Sequence, residues 1–180
     1  IPQVGGIFLL ESKTMFITPA GITNYPHLTA PDTEGQYATN KFSTKLIMSP
    51  EAAKPLIDLI QSVVSTHKAG KNCKLPYKPE TRKDGDTAKP TGMLQFSLSS
   101  KYAPALMDSK NNPINLKKMG DDFFIGSGSK VKIAGEVYSY DKGVSLQMRQ
   151  VQLLNLVNTA ASMFEVDEDG NFDGSDYEDD

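Results

Sequence analysis

The sequence predicts a mainly β domain, five strands closing into a small barrel with one helix, followed by a disordered acidic C-terminal tail. Three observations carry this. Period-two alternation of apolar and polar residues recurs in residues 37–48, 93–101 and 130–153. Only residues 49–70 show apolar side chains at helical spacing. The last sixteen residues, Glu165 to Asp180, hold nine Asp or Glu and no Lys or Arg. Such a run cannot bury enough apolar surface to offset the entropy of ordering. The expected division is a folded domain over residues 1–164 and a tail over 165–180.

Taken in order, residues 7–17 are rich in Ile, Phe and Leu and follow Gly5-Gly6, which predicts a strand. Residues 19–35 hold three Pro and two Gly and read as a loop. In residues 37–48, Phe42, Thr44, Leu46 and Met48 form one face, and Tyr37, Thr39, Lys41, Ser43 and Lys45 the other. Ser49-Pro50-Glu51 then opens a helix, with a Ser cap, Pro in the first turn and an acid at the positive dipole end. Its apolar stripe is Ala52, Leu56, Leu59, Ile60, Val63 and Val64. Residues 68–90 read as a long polar loop with seven bases against three acids, and Tyr77 sits in it between Pro76 and Pro79.

Residues 93–101 alternate again, with Leu94, Phe96 and Leu98 inward. Residues 103–126 are irregular, with a turn at Lys110 to Pro113 and an anchor at Phe123-Phe124-Ile125. From Lys130 to Tyr140, Val131, Ile133, Gly135 and Val137 form an inner face, and Lys130, Lys132, Tyr138 and Tyr140 lie on the outer one. A tight turn at Asp141-Lys142-Gly143 leads into a return strand with Val144, Leu146 and Met148 inward and Arg149 outward. The phase slips at Arg149-Gln150, because Val151 and Leu153 continue the apolar set, and this predicts a bulge. Five strands closing into a small barrel with a covering helix make an OB-like arrangement; the usual OB helix lies between strands three and four and this one between two and three, so element order alone does not settle the fold.

Charge and composition narrow the function. The chain carries 22 acids and 19 bases, net −3. Setting aside the nine tail acids leaves 13 acids against 19 bases, net +6, so a basic body carries an acidic tail. A basic body favours a polyanionic partner, and the tail can occupy the same surface. The single Cys73 excludes an internal disulfide and a cysteine metal cluster. No apolar run approaches the ~20 residues that span a bilayer, and no signal peptide is expected. The two histidines, His27 and His67, sit in no nucleophile or metal motif, and no Walker loop is present. The expectation is therefore a cytoplasmic non-enzyme with no catalytic residues, metal or cofactor.

Single-stranded nucleic acid binding needs a positive groove for the backbone and aromatic faces for the bases. The candidates are Tyr37, Lys41, Lys45, Tyr77, Lys130, Lys132, Tyr138, Tyr140 and Arg149. No set of residues suited to reading base edges is apparent, so weak sequence preference is expected. A rival reading is a calcium-responsive or adaptor protein acting through the tail. There Asp169, Asn171, Asp173 and Asp180 fall at EF-hand loop positions, but the bidentate Glu and the exiting helix are missing. An RNA-binding OB protein is the other rival.

The ordered set Phe124 to Ile133, the strand ending in Tyr140 and the return strand Val144 to Leu153 resembles the single-stranded DNA-binding protein of T7-type bacteriophages. Lys45 to Pro50, Leu75 to Lys78, Asp108 to Lys110 and the acidic tail add to that resemblance. It implies an OB fold with its helix after strand two, and sequence-independent DNA binding in phage replication, recombination and repair in the host cytoplasm. It also implies a homodimer, and a tail that competes with DNA and recruits DNA polymerase and helicase-primase. The tail residues concerned are Asp167, Glu168, Asp169, Phe172, Asp173, Asp176, Tyr177, Glu178, Asp179 and Asp180. One departure stands: the family's tail ends in an aromatic residue, whereas here Phe172 and Tyr177 are set back from the end.

Overall fold

The computed structural model describes residues 14–120 and 123–157. They form eight strands: β1 (Thr14–Ile17), β2 (Gly21–His27), β3 (Phe42–Met48), β4 (Tyr77–Asp84), β5 (Thr87–Ser100), β6 (Ala105–Met107), β7 (Lys130–Tyr140) and β8 (Gly143–Asn155). Helix α1 spans Pro50–Val64, and a single turn of helix, α2, spans Leu116–Met119.

Five of the strands close a ring in the order β2-β3-β5-β8-β7 and back to β2. The ring is long and antiparallel at β3–β5, where Phe42 faces Ser100 and Met48 faces Leu94. It is short where it closes. Parallel β5 and β8 share only Leu98↔Leu146 and Ser99↔Gln147, and β2 meets β7 at Gly21↔Val131 and Ile22↔Lys130. β1, β4 and β6 lie outside the ring, on β7, β5 and β8 respectively.

The inner faces supply the core. Leu46, Phe96, Leu98, Val131, Ile133, Leu146, Met148 and Val151 are all fully buried. Helix α1 adds Ala53, Leu56 and Ile60. The Ser49 hydroxyl accepts from the Ala52 N–H and caps the helix, and Pro50 sits in its first turn, as expected. Ala53, rather than Ala52, carries the stripe's first turn. Within the ring, the helix falls between the second strand, β3, and the third, β5, as the element order predicts.

Three expectations need correction. Residues 19–35 are not all loop, since Gly21–His27 is a ring strand. Its propensity signal is masked by Pro26, which is tolerated because the β2–β3 register breaks between Asn24 and His27. The edge strand β1 is the described part of the strand expected at 7–17, and it lies outside the ring. Residues 77–90 of the expected polar loop form a β-hairpin arm, β4 with the start of β5, turning at Gly85 and Asp86. Nearly all of its side chains are exposed, so it leaves no inside–outside alternation to read. Strand β6 was missed for its length, only three residues.

The best-defined expectation holds. In β7 Val131, Ile133, Gly135 and Val137 are buried and the outer face carries Lys130, Lys132, Tyr138 and Tyr140. The bulge in β8 is at Arg149: Gly135 faces Met148 and Ala134 faces Gln150, leaving Arg149 unpaired. Close approach makes Gly135 obligatory, since a Cβ there would meet the Gln147 carbonyl oxygen at 1.8 Å.

Candidate nucleic-acid interface

Directly paired residues on neighbouring strands share a face, so register builds the outer surface. Lys45 on β3 faces Asn24 on β2 and Ser97 on β5. Ser43 lies between His27 and Ser99, and Ser99 pairs onward with Gln147 on β8. Gln147 faces Glu136, and Ser145 faces Tyr138, on β7. Small and polar side chains thus floor the ring's outer surface, and longer ones stand at its margins.

Two adjoining concavities lie on that floor. One, of about 660 Å³, is bounded by Lys41, Lys101, Tyr102, Tyr138, Tyr140 and Arg149 over Ser99, Ser145 and Gln147. The second, of about 420 Å³, is bounded by Tyr25, His27, Asp32, Lys41 and Lys45 over Ser43, Ser97 and Ser99. Lys41 and Ser99 line both, so the two form one groove. Its floor is β3 and β5 with the start of β8, and its rims come from the segment between β2 and β3, from the residues that follow β5 and from the β7–β8 hairpin. These are the surfaces with which OB folds bind oligonucleotides.

The aromatic rings are accessible. Tyr102 is 74 % exposed, Tyr25 69 %, Tyr138 48 % and Tyr140 36 %. The cations differ in their freedom. Lys45 Nζ donates to Ser97 Oγ at 2.8 Å. Partial burial, and then the charge of Lys78, hold its pKa below the ordinary lysine value. An anion in the groove would offset both effects by its opposite charge. Arg149 Nε donates to Glu136 Oε1 at 3.1 Å, which partly neutralises it. Among the described residues, no ion pair engages Lys41, Lys45 or Lys101.

The groove gathers Lys41, Lys45, Tyr138, Tyr140 and Arg149 from the sequence candidates. Tyr37 stands outside it. The period-two pattern does not extend back past Phe42, because the chain turns at Asn40 (φ 58°), and Tyr37 projects from the loop, 86 % exposed. Lys130 and Lys132 are exposed at the far end of β7, away from the groove. Tyr77 also lies elsewhere. Its ring stacks on Phe96 with centroids 5.3 Å apart, and its hydroxyl accepts from Gln61 Nε2 at 2.8 Å. Sequence reasoning missed Tyr25, Lys101 and Tyr102. Lys101 has the outward parity of the alternating strand and was readable there, whereas Tyr102 has the inward parity of Leu94, Phe96 and Leu98, and Tyr25 lies in a segment whose Pro and Gly content reads as loop. The tail residues Asp167 to Asp180, with their EF-hand-like spacing, lie outside the described residues.

The ring, its helix and this groove define an OB-like fold. No family model and no curated protein matches the sequence. Among solved structures the fold is that of phage single-stranded DNA-binding proteins. The chain resembles gp2.5, the single-stranded DNA-binding protein encoded by bacteriophage T7, at 18 % identity and a TM-score of 0.62, over 89 % of this chain and 99 % of that one. It also resembles the single-stranded DNA-binding protein of bacteriophage Enc34 in complex with ssDNA, at 18 % identity and a TM-score of 0.60, over 78 % of this chain and 86 % of that one. A second Enc34 structure matches at 19 % identity and a TM-score of 0.56, over 84 % and 87 %.

Proposed function

We propose that this chain is a non-enzymatic, sequence-independent single-stranded DNA-binding protein of the T7-type phage class. The observation that carries the reading is the convergence of exposed tyrosines, and of lysines that no ion pair among the described residues engages, from separate segments on one groove across β3 and β5. Phosphates lie along the lysines and bases stack on Tyr138, Tyr140 and Tyr102. The floor offers Ser and Gln hydroxyls and amides rather than a fixed fork suited to one base, which favours weak sequence preference.

In this reading residues 1–164 form the DNA-binding domain and 165–180 a tail. The tail competes for the groove and, once DNA displaces it, engages replication proteins in the host cytoplasm. The test is a gel shift with ssDNA, dsDNA and ssRNA, using the full chain and a version ending at Phe164. Preferential shifting of ssDNA, enhanced at low salt by truncation, is expected. Equal or stronger binding of ssRNA would transfer the proposal to RNA. Unchanged ssDNA affinity after truncation would remove the competitor role.

A further inference from the structure

The seven bases of residues 68–90 divide into two places. Four lie on the hairpin arm, and Lys68, Lys71 and Lys74 lie on the connector between α1 and β4. The connector is fastened to the β7–β8 turn, which follows Tyr138 and Tyr140. Lys74 N–H donates to the Lys142 carbonyl at 2.9 Å, and Val144 N–H donates to the Lys74 carbonyl at 2.9 Å. The packing leaves no room at Gly143, where a Cβ would stand 2.3 Å from the Lys74 carbonyl oxygen.

His67 adds a third tie. Its Nδ1 accepts from Ala69 N–H at 2.9 Å, so Nε2 carries the proton and donates to the Tyr140 carbonyl at 2.6 Å. Lys68 pairs with Asp141 at 2.9 Å, which uses up the acid at the turn. Lys71, Lys74 and Lys142 are exposed, and none has an ion-pair partner among the described residues.

Three unneutralised cations thus stand on a short, tied surface beside the rim that carries Tyr140. We propose that this lip is a phosphate-binding extension of the groove, taking the backbone of the same DNA strand where it leaves the tyrosines. The inference rests on the proposed single-strand binding and lengthens its track. The chemistry asks only for phosphodiester anions, since the lip's cations are lysines and its imidazole, His67, is held by hydrogen bonds to Ala69 and Tyr140.

The test compares the full chain with a variant carrying Lys71→Gln, Lys74→Gln and Lys142→Gln. The side chains are exposed and the ties to Lys74 and Lys142 are made by backbone atoms, so the variant keeps its fold; equal thermal midpoints check this. Fluorescence anisotropy is recorded with oligo-dT of about 4 and about 16 nucleotides, spanning the range of OB site sizes. On the long oligo, the slope of log K against log salt becomes shallower by about 2, from roughly 0.7 per lost phosphate contact. The two proteins bind the short oligo alike. An unchanged slope on the long oligo, or equal loss on both lengths, overturns the lip. Failure of the unsubstituted chain to bind either oligo would instead overturn the proposed function.

Discussion

Lys45→Met separates binding from stability. Lys45 stands between the two neighbouring strands on the groove floor, partly desolvated and repelled by Lys78. Met keeps the stem's volume and removes the charge. Folding loses the Ser97 hydrogen bond but also the repulsion and the desolvation, so the thermal midpoint should hold or rise. DNA binding should weaken. With Lys41, Lys45 and Lys101 each meeting one phosphate, the groove contributes about −2 to the salt slope; adding Arg149, once released from Glu136, takes the groove's share to about −3. Lys45→Met should cut this by about 0.7. The assay is fluorescence anisotropy on labelled oligo-dT across a tenfold range of salt, with calorimetry on the free protein. The pH dependence carries its own sign. A lysine whose pKa is lowered by folding holds fewer protons in the folded than in the unfolded chain, between that lowered value and its ordinary 10.5. Within that window the unsubstituted protein gains stability, relative to Lys45→Met, as pH rises. An unchanged salt slope would refute the assignment of Lys45 to the groove, and a large fall in midpoint would refute the electrostatic argument.

Tyr140→Ala should lower ssDNA affinity by the ~1–3 kcal/mol of one stacked base, whereas Tyr37→Ala, outside the groove, should change it little; equal effects in the same titration would count against the stacking assignment. Tyr77→Phe should cost about 1 kcal/mol of stability, through the lost hydrogen bond with Gln61, and leave affinity alone. Urea unfolding and anisotropy together check this, and an affinity loss would return Tyr77 to the interface. Gly135→Ala should destabilise by about 3 kcal/mol or more, because its methyl group meets the Gln147 carbonyl, a backbone group, across the bulge. A midpoint unchanged in urea would show that the strands part more easily than their packing suggests.

The parts of the fold legible in the sequence are those with one wet and one dry face. β7 and β8 alternate cleanly, and even the bulge at Arg149 showed as a slip in phase. The hairpin arm escaped because both of its faces are wet, and β2 escaped because Pro26 and the left-handed Tyr25 look like loop chemistry. In the groove, Lys45, Tyr138 and Tyr140 were legible as outer-face members of alternating strands, and Lys41 came from extending that pattern one residue past the start of β3. Alternation says which face a residue takes but not where along a curved strand it stands. Lys130 and Lys132 share the outer face of β7 with Tyr138 yet lie at the opposite end. Tyr77 was misplaced because only pairing of β4 with β5 puts its ring on Phe96.

The central claim is that single-stranded DNA occupies the groove across β3 and β5. Photocrosslinking of the full chain to an oligonucleotide carrying 5-iododeoxyuridine, followed by peptide mapping, tests it most directly. The account predicts adducts on Tyr138, Tyr140 and Tyr102, suppressed by unlabelled ssDNA and by salt. Adducts confined to Tyr37 or Tyr77, with the groove tyrosines unmodified, would contradict it.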